Sequence, residues 1–245
     1  MRIRLAVLDV GGTVIRDTAD VPAVFKAALA RHGLAAADAQ LHAWRGAAKR
    51  EVIGRLAAGS AADPERVYAS FQELLIASFA EHGVKPIDGI EPAIAALRAR
   101  GVRVALSTGF DRKVANGLLA RLGWSGKVDA VVCADEVAQG RPAPDMILRA
   151  MQKTGIDDAR EVLCAGDTDN DLQAGERAGV GANIGVLSGA HDRARLEKAP
   201  HDAILASAAA LPAWLEQRDG GAQARKKMGP ADRGNRRAPG GENED

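Results

Sequence analysis

The amino-acid sequence predicts an α/β fold: a doubly wound parallel sheet with a helical cap domain inserted after the first strand. Short apolar runs alternate with helical patterns along most of the chain, as in strands joined by crossover helices. One interval, from about Val21 to His82, carries helical patterns and no strand signal. Polar segments follow several apolar runs, at the edge where open α/β sheets place their ligands.

The first run, Ile3 to Leu8, ends at Asp9 and Gly11-Gly12, which reads as a buried strand entering a sharp turn. Similar runs are Val102–Leu106, Val128–Cys133, Glu161–Ala165 and Ala182–Leu187. Between them lie helical patterns, two of which open on a capping residue and stop at glycine: Asp111 with Gly123, and Asn170 with Gly179. In the strandless interval, Asp63-Pro64 opens a helix with Val67, Phe71, Leu74, Leu75, Ser78 and Phe79 on one face, closed by Gly83. A second pattern sets Leu41, Trp44, Ala48, Val52 and Leu56 at helical spacing. This unit reads as a mobile cap hinged near Arg16–Val21 and Lys85–Gly89. The expected domains are a core from 1–16 and 88–215, a cap from 17–87 and a disordered tail from 217–245, where glycine and charge leave little to bury.

Apolar residues make up 47% of the 245, enough for a sizeable core. Basic and acidic residues number 33 and 32, which argues against a nucleic-acid or membrane-surface protein. Cys133 and Cys164 sit in apolar runs and read as buried reduced thiols. No stretch approaches the roughly 20 apolar residues of a membrane span. The amino-terminal apolar run is too short for a signal peptide, so a soluble, cytoplasmic protein is expected.

Four short segments carry the chemistry. They are D-V-G-G-T (Asp9 to Thr13), L-S-T-G (Leu106 to Gly109), G-R-P-A-P-D (Gly140 to Asp145) and G-D-T-D-N-D (Gly166 to Asp171). Phosphoryl transfer needs a nucleophile, charge neutralisation and donors around the phosphoryl oxygens. Asp9 suits the nucleophile, forming an aspartyl-phosphate. Asp167 and Asp171 offer hard oxygen ligands for Mg²⁺ beside it. Thr108 and the amides around Gly109 can donate to phosphoryl oxygens, and Arg141 has the planar fork to bind an oxygen and the nucleophile together. Each segment alone is a common turn or helix cap; all four in this order are specific.

Together with the helical insertion, these segments resemble the haloacid dehalogenase superfamily over roughly residues 3 to 215. The resemblance implies its Rossmann-like core, Mg²⁺ held by Asp9, the carbonyl of Gly11, Asp167 and Asp171, and phosphate contacts from Gly11, Gly12 and Thr13. Two departures stand out. Most phosphatases of that superfamily carry a second aspartate, a general acid and base, where this chain has Gly11, and a lysine where it has Arg141. Both departures resemble the phosphonatase-like branch, typified by phosphonoacetaldehyde hydrolase. That branch also places a lysine in a cap Gly-x-x-Lys segment, matched here by Gly46 to Lys49.

A carbon–phosphorus bond has no leaving oxygen to protonate, so an acid at position 11 has little to do. An electron sink on carbon is needed instead, and an iminium formed by Lys49 would supply it. Lys49 must be neutral to attack, through desolvation or neighbouring cations such as Arg45 and Arg50. The branch has a histidine where this chain has Val52, a methionine where it has Arg45 and a tyrosine where it has Phe110. A hydroxylated or otherwise substituted substrate, with Arg45 on an added polar group, therefore stays open.

The expected function is hydrolysis of phosphonoacetaldehyde or a related 2-oxoalkylphosphonate to phosphate and an aldehyde. The alternatives are a phosphatase acting on small phosphate esters and a non-enzymatic phosphate-binding module. The partner expected is a small-molecule phosphonate or phosphate, with no nucleic acid and no membrane. The resemblance also implies a homodimer through the cap.

Overall fold

Five fully buried residues, Leu5–Asp9, form strand β1 at the centre of the sheet. The computed structural model describes residues 2–16, 21–43 and 49–227. Helices α1 (Val21–Ala30), α2 (Asp38–Ala43), α3 (Lys49–Ala57) and α4 (Pro64–His82) follow β1 before any further strand among the described residues. Then come α5 (Ile90–Ala99), β2 (Arg103–Thr108), α6 (Arg112–Leu122), β3 (Ala130–Cys133) and α7 (Asp145–Thr154). The chain continues through β4 (Val162–Gly166), α8 (Asp169–Ala178), β5 (Ala182–Val186), α9 (Arg193–Leu196), β6 (Ala203–Leu205) and α10 (Leu211–Lys227).

The sheet is parallel throughout, in the order β3-β2-β1-β4-β5-β6. The chain runs outward from β1 through β2 to β3, then crosses to β4 on the other side of β1. The reversal opens a crevice at the carboxyl ends of β1 and β4, the usual ligand position of such sheets. Asp9 ends β1 and Asp167 directly follows β4, so the topology delivers both carboxylates to that crevice.

Both faces of the sheet are covered. Leu5 and Val7 pack with Met146, Ile147 and Ala150 of α7, and the alternate residues Ala6 and Leu8 are equally buried on the opposite face. Each large side chain so buried stabilises by about 1.5–3 kcal/mol before entropy is counted. The caps agree with the local sequence: Asp111 accepts from the Val114 amide, and Gly123 adopts the left-handed conformation that ends α6. Helix α8 differs from expectation. Its cap is Thr168, not Asn170, because Thr168 and Asp171 close a reciprocal capping box.

In α4, Asp63 caps the start and Pro64 occupies the first turn. Its buried face holds Val67, Phe71, Leu75 and Phe79 as expected, but Tyr68 and Gln72 replace Leu74 and Ser78. Phe25 of α1 meets Phe71 edge-on at 5.4 Å, which ties α1 to α4. Phe79 of α4 meets Phe110, beyond β2, edge-on at 6.3 Å. Residues Met1–Leu211, cap helices included, form one compact unit.

Two expectations are corrected, and a third falls outside the described residues. β6 has no counterpart among the expected strands: it is short, half-buried and at the sheet edge, without a full apolar run. Residues 44–48, which contain Trp44, Arg45 and Gly46, lie outside the described residues. The segment from Gln217 was expected to be disordered, yet α10 continues through it to Lys227. Within α10 the Arg218 guanidinium lies over the Trp214 ring at 5.6 Å. No described helix is long and apolar enough to cross a membrane.

Candidate active site

Asp9, Asp167 and Asp171 converge beneath the crevice. All three are buried, and one oxygen from each lies within 4.8 Å of the others. Carboxylates this close repel, and burial removes the water that would screen them. Burial accordingly pushes the Asp9 carboxyl up to about 7, with Arg141 pulling down and Asp171 pushing further up. Asp167 is held well above the usual carboxylate range, first by burial and then by Asp9 and Asp171.

Arg141 partly offsets this charge. Its Nη1 donates to Asp9 and to Asp171, and the peptide to Pro142 is cis. Burial works against the guanidinium charge, but the two carboxylates outweigh it and raise the Arg141 pKa. Three carboxylates thus face one guanidinium. A hard divalent cation fits this set: it takes oxygen ligands and supplies the missing positive charge.

The carboxylates are positioned by close backbone packing. Asp167 Oδ2 accepts the Ala190 amide at 2.6 Å. A Cβ at Gly189 would come within 2.0 Å of that oxygen, and one at Gly12 within 2.4 Å. Gly12 has φ +77°, so glycine there is required twice over. Asp171 Oδ2 accepts from the amide and hydroxyl of Thr168, at 3.1 and 2.5 Å. A Cβ at Gly166 would collide with the Asp171 side chain at 2.3 Å. Ser188 donates to the Gly12 carbonyl at 2.7 Å, tying the segment after β5 to the turn after β1.

Above the carboxylates lies a cavity. Its lining brings together most of the residues expected from the sequence: Asp9, Gly11, Lys49, Thr108, Gly109, Arg141, Asp167 and Asp171. Lys49 is the first residue of α3, half-buried, and it borders the cavity from the cap. Gly12 and Thr13 do not border it. Gly12 makes room for Asp167, and Thr13 is fully buried with its hydroxyl unpartnered among the described residues. Arg45 lies outside the described residues. Arg50 turns to Glu65 at 2.6 Å and stacks over Tyr68 at 4.6 Å.

Sequence reasoning gave no role to Thr168, Ser188, Gly189 and Ala190, which hold or make room for a carboxylate or a turn. The Ser-Gly-Ala stretch that follows Leu187 after β5 was the available signal. Both cysteines are free and buried as expected; burial pushes the Cys133 thiol up to about 11 and raises Cys164 as well. Neither is a candidate nucleophile at neutral pH.

Comparison with known proteins agrees with this site at the level of family. The sequence profile of haloacid dehalogenase-like hydrolases matches residues 3–179. Phosphonoacetaldehyde hydrolase of Bacillus cereus (strain AH187) is 31% identical over 132 residues, 54% of this chain and 49% of that protein. The chain therefore spans about half the length of that relative. N-acetylmuramic acid 6-phosphate phosphatase of Pseudomonas aeruginosa is 32% identical over 185 residues, 74% of this chain and 80% of that protein. Among solved structures, a phosphonoacetaldehyde hydrolase-like protein from Oleispira antarctica superposes with a TM-score of 0.76 at 22% identity, covering 89% of this chain and 92% of that one. The profile match, the phosphatase relative and the parallel sheet with its buried aspartates agree: this chain belongs to the haloacid dehalogenase-like hydrolase family.

Proposed function

We propose that the chain is a Mg²⁺-dependent hydrolase of carbon–phosphorus bonds, acting on phosphonoacetaldehyde or a closely related 2-oxoalkylphosphonate. The observation that carries this reading is that an amine, Lys49, and a carboxylate, Asp9, border one cavity, with no acidic side chain at Gly11. The relative in Bacillus cereus named for phosphonoacetaldehyde hydrolysis supports it.

In this reading Asp9, Asp167, Asp171 and the Gly11 carbonyl would hold Mg²⁺, which would supply positive charge against the approaching phosphonate. Thr108 and the Gly109 amide donate to the phosphoryl oxygens, and Arg141 steadies Asp9. The neutral Lys49 amine adds to the substrate carbonyl and water leaves, giving an iminium. A carboxylate oxygen of Asp9 then bonds to phosphorus, and the carbon–phosphorus electron pair moves into the iminium to give an enamine. Protonation on carbon and hydrolysis return the carbonyl product and the Lys49 amine. A second water attacks phosphorus, releasing phosphate and the Asp9 carboxylate.

Borohydride added with phosphonoacetaldehyde should fix a covalent adduct on Lys49, read by peptide mass, and Lys49→Arg should lower phosphate release by at least about 10³-fold. No adduct, with turnover unchanged in Lys49→Arg, removes the imine route. A second reading, a phosphatase of small phosphate esters, is favoured by the Pseudomonas aeruginosa relative, which is matched over more of its length. Parallel assays of sugar phosphates and phosphonoacetaldehyde separate the two.

A further inference from the structure

The cavity lining is of two chemical kinds. Asp9, Asp167, Asp171, Arg141 and Thr108 come from the sheet's carboxyl edge and are polar. Val21, Pro22 and Phe25 of α1, Leu41 of α2, Val52 of α3 and Phe110 are apolar. Among the described cap residues that line it, Lys49 alone is polar. Val52 follows Lys49 by one helical turn and shares its face, so α3 presents both to the cavity. The apolar wall is held in place: Phe25 packs on Phe71, Phe110 packs on Phe79, and Phe25 and Val52 are both buried. None of these side chains offers a hydrogen bond to a substrate.

We infer that the substrate's carbon arm is alkyl: a phosphonomethyl ketone carrying a short hydrocarbon group, rather than a hydroxylated or sugar-like chain. The inference rests on the carbon–phosphorus hydrolase reading and names the substrate class within it. Lys49 takes the single carbonyl, and the remaining carbons meet the apolar wall. A hydroxyl placed there would lose its water and gain no partner among the described residues that form the wall. The overall reaction balances as ketone phosphonate plus water giving ketone plus phosphate, with the imine water returned on hydrolysis. The apolar wall also disfavours the hydroxylated substrate and the hydroxyl-rich esters left open by the sequence.

The test uses an isosteric pair, 2-oxobutylphosphonate and 3-hydroxy-2-oxopropylphosphonate, which differ by methyl against hydroxyl, with phosphonoacetaldehyde as reference. Released phosphate should show kcat/KM about 10- to 100-fold higher for 2-oxobutylphosphonate than for its hydroxylated partner. Val52→Thr, which keeps the shape and adds a hydroxyl, should narrow that ratio by about 10-fold. Equal or reversed preference overturns the inference. So does cleavage of phosphonoacetaldehyde with neither ketone accepted, and both results leave the carbon–phosphorus reading standing. Release of phosphate from none of the three overturns that reading and the inference with it.

Discussion

A side chain built at Gly11 would meet no atom within 4 Å, although Gly11 stands two residues beyond Asp9 and borders the same cavity. Its φ lies outside the left-handed range. Neither packing nor backbone conformation demands glycine there. Gly11→Asp should fold normally and place an acid beside the leaving group. Hydrolysis of sugar phosphates should then rise about 10²-fold, the scale of general acid catalysis. Phosphate release with glucose 6-phosphate measures it; an unchanged rate would show that an acid at position 11 does not reach a leaving oxygen.

Gly189 has the opposite character. An alanine there would drive Cβ into Asp167 Oδ2 and displace that carboxylate from the other two. Gly189→Ala should therefore weaken Mg²⁺ binding by about 10- to 100-fold, as when the support of a metal ligand is lost. Titration calorimetry reads this directly. Gly117→Ala is the control: it lies within α6 with open space around its Cβ. That change should leave Mg²⁺ affinity alone and stabilise the fold by about 0.5–1 kcal/mol.

The pH dependence follows from Asp9 and Asp167, both raised above their ordinary values. A carboxyl whose folded pKa is raised holds its proton more tightly when folded. Its stabilising contribution is complete below the unfolded value near 4 and is lost as pH climbs through the folded value, about 7 for Asp9. Without added metal, the melting temperature should therefore fall between about pH 4 and pH 7 on account of these groups. Mg²⁺ binds the deprotonated forms, so it should restore stability near pH 7.5 and do little near pH 5. Thermal melts with Mg²⁺ and with EDTA at both pH values check this; equal Mg²⁺ stabilisation at the two would argue against Asp9 and Asp167 as ligands.

Much of the fold is legible locally. The run ending at Asp9, the Asp111 cap and the glycine stops at Gly123 and Gly179 are statements about neighbouring residues, and they hold. β6 is not legible, because a three-residue edge strand has too little apolar length to stand out from the helical pattern after it. The Thr168 cap was hidden for another reason: Thr168, Asp169 and Asn170 all have side chains that cap helices, and only the reciprocal bonds with Asp171 choose among them.

The sequence by itself determined the family, the alternation of the first five strands with helices and the carboxylates at the strand ends, because each depends on residues close together in the chain. It also singled out Lys49 and Arg141. Only the tertiary structure decided what surrounds them. Gly12 and Gly189, far apart in sequence, close on the same Asp167 oxygen, and Phe25, Val52 and Phe110 line one cavity with Lys49. Such contacts arise when α1, α3 and the loop after β2 come together over the sheet, and no local periodicity records which side chains will then meet.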